Sequence, residues 1–191
     1  GGFIASQSYD VAFYFASAGM VTYSALLFFF ARETLVKSAH QVLQKVQDGG
    51  YRQVFRDRGY LSFVAVISLG LIAPGMLWIL LAVYAKTNFG LSESLFGWLP
   101  TTNALMCVFV QYFVTRLTRR YRPLPVVAVG MFVYAIGAGS VALMSGFWGF
   151  WLSMVILTFG ELIVVPTAST YVANISPANL RGRYMSIYWL S

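Results

Sequence analysis

The chain has 191 residues, of which 59% are hydrophobic and only 10% charged. A soluble domain needs about 25% charged residues to meet water over its surface, so lipid has to be the solvent for much of this chain. A net charge of +7 raises nucleic acid as a partner, while a single cysteine, Cys107, and a single histidine, His40, exclude an internal disulfide and a Cys/His metal cluster.

A bilayer core about 30 Å thick takes roughly 20 apolar residues in a helix. Charge-free stretches predict the first such helix over residues 11–30. The long polar segment 31–59 follows. Within it Leu35, Ala39, Val42, Leu43 and Val46 recur at helical spacing, and Gly49-Gly50 stop the run. This predicts either a short amphipathic helix on the membrane surface or a solvated connector. Further spans are expected at 60–84, 95–115, 124–144 and 151–175, with Ser145-Gly146-Phe147-Trp148-Gly149 as the turn dividing the last two. Another helix begins near Tyr184, and both ends of the chain read as cut.

The basic residues fall on alternate loops. Arg32, Lys37, Lys45, Arg52, Arg56 and Arg58 lie in the first, Arg116, Arg119, Arg120 and Arg122 in the next, and Arg181 and Arg183 in the last. Only Lys86 lies on the opposite side. This is the positive-inside pattern, which assigns those loops to the cytoplasm and accounts for the basicity without nucleic acid. The Asn174-Ile175-Ser176 sequon sits at that cytoplasmic edge, before Pro177, and is discounted.

Helix breakers inside lipid mark backbone that is buried in protein or lines a cavity. Gly70, Pro74 and Gly75 are expected to open the helix over 60–84, Pro100 the next one, and Pro166 the helix over 151–175. Asn103, Cys107 and Gln111 share one helix face, which predicts either interhelical hydrogen bonds or substrate contact. Gly130, Gly137, Gly139 and Ser140 mark the helix over 124–144 as a packing helix.

Glu161 is the sharpest signal, an acid in the middle of a span. A charge there costs about 2.5–3.5 kcal/mol on insertion scales, so it is expected to be paired, to face a cavity or to carry a proton. Thr158, one turn earlier, is a candidate hydrogen-bond partner, and Pro166 frees a backbone carbonyl one turn below. No Lys or Arg lies within a predicted span, which leaves a proton, a cationic substrate or another part of the protein as the partner. The sequence holds no Ser/His/Asp set, HExxH or phosphate loop, so no enzyme, cofactor or metal site is expected.

The loop from Gln111 through Thr115, Arg116, Arg119 and Arg120 resembles the G-x-x-x-D-R-x-x-R-R loop of the major facilitator superfamily, with Gln111 in place of the glycine and Thr115 in place of the aspartate. Phe159-Gly160-Glu161-Leu162, Pro166 and the run from Ile175 to Met185 are similar to the tenth helix and following loop of bacterial drug/proton antiporter-like members. The resemblance implies an all-α polytopic bundle within a twelve-helix fold. Residues 1–30 would be the last helix of the N-terminal half, 31–59 the central linker, and 60–191 helices seven to ten with the start of eleven.

It further implies a multi-pass protein of a cell membrane, a bacterial inner membrane in that case, which moves small molecules by alternating access. Its partners would be a small-molecule substrate, protons, the lipid bilayer and the remainder of its own chain. Proton-coupled efflux is the expected mode, with oligopeptide or other solute symport, and a non-transporting scaffold, as alternatives. Glu161, Asn103, Gln111 and Thr158 would serve coupling or substrate binding. Thr115, Arg116, Arg119, Arg120, Arg181 and Arg183 would form cytoplasmic gate contacts.

Overall fold

A computed structural model describes residues 8–30 and 50–190, the side chain of Tyr9 excepted. The expected amphipathic helix, with Lys37 and Lys45, lies outside the described residues, as does Gly49. The described chain is helical: α1 (Tyr9–Phe30), α2 (Tyr51–Val54), α3 (Arg58–Phe89), α4 (Glu93–Phe96), α5 (Trp98–Phe109), α6 (Gln111–Thr118), α7 (Pro123–Ser140), α8 (Gly146–Ile175) and α9 (Arg181–Leu190). A 3₁₀ turn, Val141–Leu143, extends α7.

Among the described residues, four segments are long and apolar enough to cross a membrane: Asp10–Phe30, Arg58–Phe89, Pro123–Leu143 and Gly146–Ile175. The expected helix over 95–115 is two helices, α5 and α6, with Val110 between them. The break is slight. Val110 N–H donates to the Met106 carbonyl at 2.8 Å, and Val114 N–H donates to Val110 at 3.1 Å, so the ladder runs through.

α3 extends beyond its predicted end at 84. Gly90, in the left-handed region at φ 61°, ends it, and Gly90 and Leu91 N–H close on the Lys86 and Ala85 carbonyls. α8 begins five residues earlier than predicted, because the aromatic stretch from Gly146 already forms its first turns.

The predicted helix breaks do not interrupt their helices. α3 runs through Gly70, Pro74 and Gly75, and α8 runs through Pro166. An internal proline removes one helical hydrogen bond, and both helices continue past theirs. Pro100 lies in the first turn of α5, where its missing N–H is of little consequence. Gly70 serves packing, since an added Cβ would stand 3.0 Å from the Met131 side chain.

α8 is the hub and touches α3, α5, α6, α7 and α9. Its contact with α7 is reciprocal. A Cβ on Gly137 of α7 would lie 2.5 Å from Leu157 N and 2.7 Å from its Cα, and one on Gly160 of α8 would lie 2.7 Å from Tyr134 N. Each glycine therefore admits the backbone of the facing helix, the close approach that small residues permit in membrane bundles. Gly130 meets Ile163 and Val164 in the same way. Gly139 does not take part, having no atom within 4 Å, and Ser140 instead hydrogen-bonds Ser153 Oγ at 2.8 Å. By contrast, the apolar window of α1 is 0% buried.

The end of the polar linker belongs to the fold. Val54 of α2 is fully buried, and α2 contacts α9. Asp57 caps α3 by accepting from Tyr60 N–H at 3.0 Å, while its other oxygen accepts from the Tyr184 hydroxyl at 3.1 Å. The buried Tyr60 hydroxyl donates to the Tyr184 carbonyl at 2.6 Å, and the two rings lie 4.5 Å apart, tilted by 52°. Tyr60→Phe keeps the ring and removes one hydrogen bond, so a loss of about 1 kcal/mol is expected in detergent unfolding. An unchanged unfolding midpoint would show that this bond adds no stability.

Candidate functional site

The site is built where α5 and α6 lie along α8. On α5 and α6, residues 102, 103, 106, 107, 110, 111, 114, 115 and 118 are half-buried while their neighbours are exposed. That spacing of three and four is one face of a helix. It carries Asn103, Cys107 and Gln111, the residues that the sequence places on a common face.

Asn103 Nδ2 donates to Glu161 Oε2 at 2.7 Å and to Thr158 Oγ1 at 3.1 Å, so both amide hydrogens are used. Thr158 does not donate to Glu161 as expected. Its hydroxyl proton goes to the Met154 carbonyl at 2.8 Å, the back-bond that threonine commonly makes inside a helix. Thr158 therefore orients Asn103, and Asn103 holds the carboxylate. Trp151 Nε1 donates to Thr102 Oγ1 at 3.0 Å and ties the same two helices.

Glu161 is half-buried, and Cys107 and Tyr134 lie within its electrostatic reach. Among the described residues, the recorded ion pair is Lys86–Glu93 at 2.8 Å, and no Lys or Arg pairs with Glu161. The carboxyl thus stands in an apolar helix pair with a neutral amide as its donor. A carboxylate whose donor is a neutral amide can accept a proton or a small cation.

Gln111 is not part of the Glu161 cluster. Its Nε2 donates to Thr115 Oγ1 at 2.8 Å and to the Leu162 carbonyl at 3.2 Å. Below it a cleft of about 250 Å³ opens between α6 and the second half of α8, lined by Thr115, Thr118, Arg119, Pro166, Thr170 and Asn174 among others. Arg116 and Arg120 point to the outside of this end, and Arg181 is exposed on α9.

Arg183 is half-buried, its guanidinium carbon 5.7 Å from the Tyr51 ring centroid, a cation–π contact. Its Nη1 is buried without a hydrogen-bond partner among the described residues. The sequence reading misses the Asp57–Tyr60–Tyr184 cluster beside it. Its one local signal is the aspartate three residues before Tyr60, a helix-cap spacing.

The family model described as Major Facilitator Superfamily matches residues 1–191. Among curated proteins, the chain is similar to a Na(+), Li(+), K(+)/H(+) antiporter of Planococcus maritimus, with 24% identity over 189 residues. That alignment covers 84% of this chain and 44% of the relative, so the chain spans less than half the length of the curated protein it matches. No solved structure matches.

Proposed function

This chain belongs to the Major Facilitator Superfamily, and from that premise we propose that it works in proton-coupled antiport, with Glu161 as the group that carries the proton. The observation that carries this reading is the 2.7 Å bond from a neutral amide, Asn103, to a carboxylate in mid-helix. A resident arginine or lysine would hold the carboxylate ionised through the whole cycle. An amide donor supports the anion while leaving it free to be neutralised by whichever cation reaches it. Alternating occupancy by proton and substrate needs that freedom.

The similarity to a Na(+), Li(+), K(+)/H(+) antiporter of Planococcus maritimus favours cations as what is exchanged for protons. The carboxylate favours the same class, since its charge attracts cations and repels anions. In the test, the protein at its natural length is reconstituted in vesicles carrying an inward-acid pH gradient. Saturable collapse of that gradient on adding Na⁺, Li⁺, K⁺ or an organic cation is the expected result, and the cation that works identifies the substrate. Failure of every cation to disturb the gradient would overturn the reading.

The charge distribution supports an orientation with residues 50–57, 119–122 and 176–180 in the cytoplasm and the α3–α4 connection outside. Asn88, exposed in the last turn of α3, offers the check. In a Cys107→Ala background, Asn88→Cys is expected to react with an impermeant thiol reagent from outside and Arg120→Cys only after the cells are opened. The reverse pattern would invert the topology.

A further inference from the structure

An α-helical N–H at position i bonds the carbonyl at i−4. Pro166 has no N–H, so the carbonyl it leaves without a helical partner is that of Leu162, the residue next to Glu161. An unpaired carbonyl in a membrane interior is costly and must find a donor. Gln111 Nε2 supplies it from α6 at 3.2 Å, with its other hydrogen on Thr115.

The α5–α6 face therefore bonds α8 at two levels. Asn103 meets the Glu161 side chain, which leans toward the N-terminus of α8, and Gln111 meets the next carbonyl, which points toward the C-terminus. Below that second bond the packing changes, because the cleft of about 250 Å³ begins at Thr115 and Pro166. The second half of α8 has room on the side facing α6, and the ladder that would stiffen it lacks one bond at the same level.

We propose that Gln111 is a positioning residue: it clamps the carbonyl freed by Pro166, and release of this clamp lets α8 from Thr167 to Ile175 close on the cleft beneath Glu161. The clamp follows from the geometry alone, while its use in a transport cycle rests on the antiport reading above. A bend at this level would change the surroundings of Glu161 without moving the part of α8 locked against α7. One helix would then carry a fixed half and a mobile half, joined beside the proton-carrying group.

The test is a double-mutant cycle read by amide hydrogen exchange over residues 167–175 in the protein at its natural length. Gln111→Met removes the donor at similar length, and protection there is expected to fall about fivefold, the usual worth of one hydrogen bond. Pro166→Ala restores the N–H to Leu162, so in that background Gln111→Met is expected to change nothing. An equal loss of protection in both backgrounds would overturn the clamp, since a merely structural glutamine would be missed whether or not Pro166 is present.

If Gln111→Met does not accumulate as folded protein, recovery of folded yield in the double variant supports the clamp, and equal loss in both backgrounds overturns it. Failure of every cation in the vesicle assay, together with the expected exchange pattern, would remove the antiport reading and leave the clamp standing.

Discussion

Glu161→Gln is expected to fold and to lose all transport driven by a pH gradient, down to the level of empty vesicles. Glutamine matches the shape of the side chain, and its carbonyl oxygen can still accept from Asn103, whose present bond is 2.7 Å. The helix pair should therefore survive, because that bond, the Thr158 contact and the Trp151–Thr102 tie all remain possible. What disappears is the capacity to gain and lose a proton. Counterflow of labelled against unlabelled substrate separates two forms of the idea. Retained counterflow means that Glu161 carries only the proton, and lost counterflow means that it also holds the cation. Full gradient-driven transport by Glu161→Gln would end the coupling role and leave the carboxyl as a packing element.

The second large effect is expected at Gly137. An alanine there places a methyl 2.5 Å from Leu157 N, so α7 and α8 must separate along their whole shared face. Overpacking costs about 1–3 kcal/mol, and the upper part of that range applies because the obstacle is backbone and cannot rotate away. Gly139→Ala is the matched control, two residues along the same helix with no atom within 4 Å. Thermal unfolding in detergent should show a large fall for Gly137→Ala and almost none for Gly139→Ala. Equal behaviour of the two variants would mean that the α7–α8 contact is looser than its geometry indicates.

These two residues mark how far the sequence could be read. Apolar length and the side on which arginines fall located each long helix, since both are set by the thickness and charge preference of a bilayer. Charge also misled at one boundary. Lys86 reads as the end of a span, yet α3 continues to Phe89, because a lysine in a last turn can reach the surface and here meets Glu93 at 2.8 Å.

Glu161 and Asn103 were each visible as polar residues in apolar helices, but their 2.7 Å contact depends on which faces of α5 and α8 meet. Periodicity is uninformative where nearly every face is apolar. The same limit applies to the glycines of α7, whose sequence does not distinguish Gly137, which admits a backbone, from Gly139, which faces open space. Thr158 was legible in a different way. A threonine within a helix usually spends its proton on the carbonyl four residues back, and that rule alone argues against its donating to Glu161.

The Asp57–Tyr184 contact has a consequence for the order in which the chain is made. Its partners are 127 residues apart, so at about 5–20 residues per second the ribosome needs roughly 6–25 s to supply the second after the first. Through that interval the start of α3 stands without α9, and the Tyr60 hydroxyl has no Tyr184 carbonyl to bond. Asp57 is provided for meanwhile, because its bond to Tyr60 N–H spans only three residues and forms with the helix itself. This long-range hydrogen bond is thus anchored on a group that a local bond has already fixed in place, and α9 has only to dock onto it.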